Sequence, residues 1–304
     1  MRWTRRIGDA LVTNIVESTG PTHDPAVLFK GMMDVDEVAA ALSRHASWLA
    51  PHHYIPSVNR IVVTFQLWIL QIGGNVVIID TAVGNGKERP NPRMHMLNSL
   101  VMTWLEAIGA GPEQVTHVVN THLHTDHVGW NTRIVEGRNV PTFPNARYLM
   151  PRADFDHFKG RLDAGDRQPS VVSLIDSVLP VLNAGLVEFI DEPFELIPGL
   201  AVEMSPGHTP GMINLYLTSK EERAVFCADN FHTPLQIAVP ELNSVNDILG
   251  DQARVSRRAF LERVADSDML IMPMHFGAPH CGYIRRGGPD GTFFFQPERP
   301  LQSA

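Results

Sequence analysis

Cysteine is almost missing from this chain. Its two thiols among 304 residues, Cys227 and Cys281, cannot build the disulfide framework of a small secreted domain. Cys227, inside the apolar segment 224–227, reads as a buried, inert thiol. Long hydrophobic runs are absent too. The longest, Ile61 to Leu70, is interrupted by Thr64 and Gln66 and falls well short of the roughly 20 residues that span a bilayer. The early arginines are followed by Gly8-Asp9-Ala10-Leu11-Val12-Thr13-Asn14, too polar and alternating for a signal core. A soluble, cytoplasmic protein with no membrane partner is expected. Clustered positive charge is also lacking. With 25 Lys and Arg against 33 Asp and Glu the net charge is -8, and Arg5-Arg6, Arg257-Arg258 and Arg285-Arg286 read as surface pairs. No nucleic-acid partner is expected, because polyanion binders present a basic face. No GxSxG elbow occurs, which excludes the usual serine nucleophile of α/β-hydrolases.

What remains is an ordinary globular composition, 44% hydrophobic and 19% charged, long enough to bury a substantial core. Without repeats or an evident linker, residues 1–304 are expected to form one domain. Residues 8–16 alternate like a strand, and Ser18 to Pro25 reads as loop. A helix is expected over 34–49, with Asp34 as cap, Glu37 completing a capping box, and Val35, Val38, Leu42 and Leu49 on one face. Strands 61–70 and 75–80 are joined at Gly73-Gly74. The spacing of Leu97, Leu100, Val101, Trp104, Leu105 and Ile108 predicts a helix over 94–108, stopped by Gly109. Further strands are expected at 115–120, 146–150, 187–190, 200–204, 212–217, 224–228 and 269–272, and helices at 170–179 and 249–265. Strands in both halves, each followed by helices, predict an α/β architecture: two mixed sheets packed face to face with helices outside.

The chemistry concentrates in Thr121-His122-Leu123-His124-Thr125-Asp126-His127, directly after the apolar Val118-Val119. Imidazole nitrogen and carboxylate oxygen are the donors that zinc prefers, at about 2.0–2.2 Å. His122 and His124, two residues apart, point the same way in extended chain. Asp126 and His127 follow at a turn, where neighbours can address two different points. Three later segments each put one more donor at the end of a strand: His208 in Ser205-Pro206-Gly207-His208-Thr209-Pro210-Gly211, Asp229 after Val225-Phe226-Cys227, and His275 after Met272-Pro273-Met274. Singly, each would be an ordinary loop or core residue; together they read as a divalent-metal site.

The order HxHxDH, GHTPG, strand-end Asp, strand-end His resembles the metallo-β-lactamase superfamily over roughly residues 60 to 280, and Ile78-Ile79-Asp80 with Gly84 resembles that fold's early strand-turn element. Within it the chain is similar to the N-acyl homoserine lactone lactonase and methyl-parathion-hydrolase-like branch, through its N-terminal extension, Asp126 to Asn131 (DHVGWN), and His275-Phe276-Gly277. The resemblance implies a four-layer αββα sandwich. It implies two divalent ions, zinc first, with manganese, cobalt or iron as alternatives. His122, His124 and His208 would hold one ion, Asp126, His127 and His275 the other, and Asp229 both. It implies a metal-dependent hydrolase in which a bridging hydroxide attacks a lactone or other carboxylic ester, with Asp126 moving a proton to the leaving group. His232 stands where such relatives often carry a Tyr that touches the substrate carbonyl, so it is a second catalytic candidate, with loop capping as the plainer role. Residues 1–58 would form a lid or a homodimer contact.

Other readings stay open at this point: hydrolysis of phosphotriesters or thioesters, nucleic-acid processing, or a non-catalytic metal-stabilised binding protein. The acidic balance opposes nucleic-acid processing, and seven donors for two ions oppose the binding protein, since structural zinc sites close with four. Asp80 reads as a backbone anchor beside the site, and His52, His53 and His280 as loop histidines. Trp130, Phe231 and Phe276 fit either a pocket lining or the core.

Overall fold

A computed structural model describes residues 3–287 and 292–298. Among these residues, strands form sheets of eight, seven and two members. The first sheet contains β1 (Thr4–Ile7), β2 (Ala10–His23), β3 (Tyr54–Ile55), β4 (Arg60–Ile72), β5 (Asn75–Ile79) and β6 (His117–Val119). After the separate hairpin of β7 (Thr132–Val135) and β8 (Arg138–Pro141), it is completed by β9 (Arg147–Pro151) and β10 (Val187–Ile190). Its order is β1-β2-β4-β5-β6-β9-β10, with β3 on β4. The second sheet runs in chain order through β11 (Phe194–Ile197), β12 (Leu200–Met204), β13 (Ile213–Ser219), β14 (Glu222–Phe226), β15 (Leu270–Met272), β16 (Gly282–Arg286) and β17 (Phe293–Pro297). Both sheets are mixed: β5-β6-β9-β10 and β14-β15 pair parallel, and the remaining recorded pairs are antiparallel.

The helices are α1 (Pro25–Leu28), α2 (Val35–Leu49), α3 (Val101–Ala107), α4 (Arg152–Asp163), α5 (Pro169–Ser177), α6 (Leu179–Asn183), α7 (Leu235–Ala238) and α8 (Gly250–Val264). No described helix is long and apolar enough to cross a membrane. The chain divides into two compact units. One comprises residues up to Glu17 with Phe65–Pro193, the other Ser18–Thr64 with the described residues from Phe194 onward, so the boundaries fall inside β2 and β4.

In the first unit the parallel strands carry uninterrupted apolar runs, Val77-Ile78-Ile79, Val118-Val119 and Tyr148-Leu149-Met150, all buried. This is the pattern of strands covered on both faces, and it leaves polar residues only at their ends. In the second unit Phe260, Leu261 and Val264 of α8 pack with Val225, Ile271, Ile284 and Phe295 of the sheet, and Phe231 and Phe276 lie in the same core cluster. The predicted α2 is present with its capping box: Asp34 accepts from the Asp36 amide at 2.9 Å, and Glu37 accepts from the Asp34 amide at 3.3 Å.

Two expected segments differ. The helix predicted over 94–108 begins only at Val101. Ahead of it the backbone groups are claimed by a loop: Met96, in a left-handed conformation, donates to Lys87 O at 2.8 Å, Gly86 donates to Leu97 O at 2.9 Å, and the Asn85 amide pairs with both backbone groups of Ser99. Leu100, counted as part of the apolar stripe, is exposed. The segment from Ser18 to His23, expected as loop, continues β2, with Thr19 bonded to Thr64 through their hydroxyls at 2.8 Å.

Candidate metal centre

In the first unit, β5 and β6 are parallel neighbours, so their carboxyl ends lie side by side. This is where α/β sheets gather ligand-binding loops. Asp80 follows β5 in a left-handed conformation (φ 55°). One of its oxygens accepts from the Thr121 amide at 2.7 Å; the other accepts from the Thr121 hydroxyl at 2.7 Å and His127 Nδ1 at 2.9 Å. Burial pushes the Asp80 carboxyl up, against the opposing pull of His127 and Thr121. A carboxylate facing Nδ1 places the proton there and leaves the lone pair on Nε2, the arrangement a metal-ligating imidazole requires.

The ring centroids of His122 and His127 are 3.9 Å apart, and those of His122 and His124 are 4.9 Å apart. Asp80, His122 and His127 offer three donor atoms all within 4.8 Å of one another. Asp126 points an oxygen to 3.9 Å from His127 Nε2. The loop that carries them is held at both ends: Leu123 N donates to the buried Asp154 at 3.0 Å, while Thr81 N and the Asn120 side chain both donate to His127 O at 2.8 Å. Gly129 closes the turn, because a Cβ there would stand 1.8 Å from Val83 O. Trp130 donates its indole N–H to Glu17 at 2.7 Å, and Glu17 also accepts from the Val83 and Gly84 amides.

The second unit repeats the principle at the carboxyl ends of β14 and β15, also parallel neighbours. Asp229 sits in a short 3-10 turn after β14, and His275 follows β15. Three imidazole Nε2 atoms surround Asp229 Oδ2: His275 at 2.8 Å, His208 at 3.4 Å and His232 at 3.5 Å. His232 lies flat on His275, with interplanar angle 7° and centroids 5.4 Å apart. His275 donates Nδ1 to Thr64 O at 2.9 Å, and His208 donates Nδ1 to Asp247 at 2.8 Å. Both rings therefore also turn Nε2 toward the common carboxylate. Desolvation works against the Asp247 carboxylate, but the His208 hydrogen bond and the surrounding charges, Arg257 among them, hold it well below the usual range. Burial pushes His232 down to about 3, so its ring is neutral at physiological pH. The His208 loop is pressed onto α8, since a Cβ at Gly207 (φ 144°) would lie 2.4 Å from the Ala253 backbone.

Within each unit, then, the predicted residues meet: His122, His124, Asp126 and His127 in one, His208, Asp229, His232 and His275 in the other. Buried imidazoles with Nδ1 tied to an acceptor, beside carboxylates, fit divalent ions that take nitrogen and oxygen donors. Asp80 anchors backbone as expected and also orients His127. Several residues were missed. Asp154, Asp247 and Asn230 brace the ligand loops from sequence-distant positions. Asn230 accepts from Ser205 at 3.1 Å and donates to Asn214 at 2.8 Å. Arg257, read as half of a surface pair, is fully buried and bonded to the loops around Asp229. His53 and His280, read as loop histidines, are buried, whereas His52 is exposed. His53 packs edge-on against Phe276 and Phe295, and desolvation pushes it down to about 3. Phe231 and Phe276 are core, while Trp130 lines a cavity of about 420 Å³ with Leu97, Arg133 and Ile134.

Residues 66–275 match the family model described as metallo-beta-lactamase superfamily, and the chain belongs to that family. Its two mixed sheets with helices are the metallo-β-lactamase fold. An N-acyl homoserine lactonase of Bacillus cereus is 26% identical over 125 residues, 41% of this chain and 42% of the relative. A second, from Bacillus sp, is 27% identical over the same shares. The chain thus matches less than half the length of these curated relatives. Among solved structures, the hydrolase AbOPH of the beta lactamase superfamily aligns with TM-score 0.79 at 20% identity, covering 98% of this chain and 97% of that one. AidC, a dizinc quorum-quenching lactonase in complex with a product, aligns with TM-score 0.75 at 18% identity over the same shares.

Proposed function

We propose that the chain is a metal-dependent hydrolase of lactones or other carboxylic esters that works with two divalent ions. His122, His124 and His208 would hold one ion, Asp126, His127 and His275 the second, and Asp229 both, with zinc the first choice. The observation that carries the reading is the fixed presentation of Nε2 by buried imidazoles in each unit, at the carboxyl ends of parallel strands. Membership of the superfamily and the lactonases among the relatives support the substrate class. When bound, such ions make water nucleophilic near neutral pH and polarise a carbonyl.

The chain's own residues do the rest. Asp80, Asp247 and Thr64 O fix the ring tautomers. Asp126, only 16% exposed at its side chain, is placed to pass a proton to the leaving alkoxide. His232, a neutral imidazole with Nε2 3.5 Å from Asp229 Oδ2, would offer its one N–H as a hydrogen bond to the substrate carbonyl oxygen. Residues 1–58 supply β1, β2 and the capped α2, and serve as a lid or a homodimer contact. The test is removal of metal by a chelator and restoration with Zn²⁺, Mn²⁺ or Co²⁺, assayed on lactones, aryl esters and phosphotriesters. Activity should vanish and return, with lactones or esters turned over fastest. Chelator-insensitive ester hydrolysis would overturn the mechanism, and preference for phosphotriesters the substrate class.

A further inference from the structure

Arg257, on α8, is 1% exposed, and a buried guanidinium must find acceptors for all five of its N–H groups. It finds five. Nε donates to Asn230 O at 2.8 Å, and Nη1 to Pro240 O at 2.8 Å, Asn243 Oδ1 at 3.1 Å and Leu242 O at 3.3 Å; Nη2 donates to Asp247 Oδ2 at 3.2 Å. Two of these contacts lead directly to proposed ligands. Asn230 adjoins Asp229 in its 3-10 turn, and Asp247 binds His208 Nδ1 at 2.8 Å through its other oxygen. Asp247 is itself steadied by the Ser244 amide at 2.9 Å. One rigid fork therefore spans both the turn that carries Asp229 and the carboxylate that aims His208.

We propose that Arg257, acting through Asp247 and the Asn230 carbonyl, is a positioning residue that sets the separation and orientation of His208 and Asp229 for a bound divalent ion. This rests on the reading of His208 and Asp229 as ligands. Lysine cannot replace it: an ammonium offers three donors from one point, with no planar fork to reach loops on both sides. Aspartate is likewise specific at 247, because an amide can present an N–H to the imidazole and move the ring proton to Nε2.

The test titrates the full-length metal-free protein with Zn²⁺ against a chromophoric chelator, and records the visible spectrum of its Co²⁺ form. Wild type, Arg257→Lys and Asp247→Asn are compared, with circular dichroism as the check on folding. The wild type is expected to take two ions. Both variants should keep a wild-type dichroism spectrum, bind the ion that His208 would hold about 10–100-fold more weakly, with the other little changed in Asp247→Asn, and show an altered Co²⁺ spectrum. Lower thermal stability with both affinities and the Co²⁺ spectrum unchanged would make Arg257 a structural clamp only and overturn the proposal. If Arg257→Lys does not fold, Asp247→Asn, nearly isosteric and in contact with His208, decides alone: unchanged binding refutes, selective weakening supports. A wild type that takes no ion removes the ligand reading itself, an outcome distinct from variants that bind as the wild type does.

Discussion

Replacing Asp80 by Asn separates two roles that one carboxylate combines. The native group accepts from three donors, Thr121 N, Thr121 Oγ1 and His127 Nδ1. An amide has one acceptor oxygen. If that oxygen keeps the Thr121 amide, its NH₂ faces His127 Nδ1 and can be satisfied only by donating to it, which moves the ring proton to Nε2. The lone pair meant for the ion is then gone. Losing such an orienting partner costs about 10–100-fold in metal affinity, or ~1.4–2.8 kcal/mol. Folding stability should suffer less, by ~1 kcal/mol, because removing a charge from a site with no exposure offsets part of the weakened hydrogen bonding.

Asp80→Ala provides the contrast. It leaves a cavity and a buried Thr121 amide without its acceptor, so stability should fall by more, ~2–4 kcal/mol. His127 would then be able to choose its own tautomer, so metal binding should fall less than with Asn. The expected order therefore inverts: Asn is worse for the ion and Ala worse for the fold. Chelator-competition titration with Zn²⁺ and urea unfolding of the metal-free chains measure the two axes. Asn binding metal as tightly as wild type, or more tightly than Ala, would refute the tautomer argument.

Gly129→Ala should lose at least about 3 kcal/mol in urea unfolding, since its methyl would overlap a backbone carbonyl that cannot rotate away; a loss under about 1 kcal/mol contradicts the observed close approach. Lys87 donates to Thr132, Asn139 and the Asp176 carbonyl beside Arg89, and burial pushes it from 10.5 down to about 8. The unfolded chain thus holds the extra proton between those values, so wild-type stability should gain up to on the order of 3 kcal/mol from this residue as pH rises from about 8 to 10.5. Thiol and phenol ionisation is common to both chains and cancels in the comparison with Lys87→Met; parallel pH profiles would show that Lys87 is not responsible. His232→Phe preserves the stack on His275 and removes both ring nitrogens, so kcat should fall by about 10²-fold with both ions retained; loss of an ion would make His232 a ligand instead.

Legibility in the sequence followed the range of the interactions. The capping box of α2 and the Gly73-Gly74 hairpin are settled within a few residues, and both were readable. The buried parallel strands were readable because an apolar run has few alternatives once both its faces are covered. The helix expected from residue 94 failed for the converse reason: its spacing was correct, but Asn85 and Lys87 had already taken the backbone groups it needed. The strand pair β16–β17 and α4 gave no usable period, and α4 has a polar mean hydropathy with only Phe155, Phe158 and Leu162 as large apolar residues.

The candidate site shows the same division more sharply. Ligand types cluster along the chain because one loop can carry several, and HxHxDH was visible for that reason. What makes an imidazole a ligand, however, is which nitrogen holds the proton, and that choice belongs to a partner elsewhere. The partner of His127 is 47 residues away, that of His208 is 39 away, and that of His275 is 211 away. They are also chemically unlike: two carboxylates and a main-chain carbonyl. The carbonyl leaves no trace in the sequence at all, since any residue at position 64 whose backbone follows the same path could supply it. Substitution tolerance should therefore differ between histidines that look equivalent. Thr64→Val should leave His275 bound and aimed as before, whereas Asp247→Val should release His208. A Co²⁺ spectrum changed by Asp247→Val and unchanged by Thr64→Val would bear this out; equal effects would mean that the partners' chemistry does not govern the site.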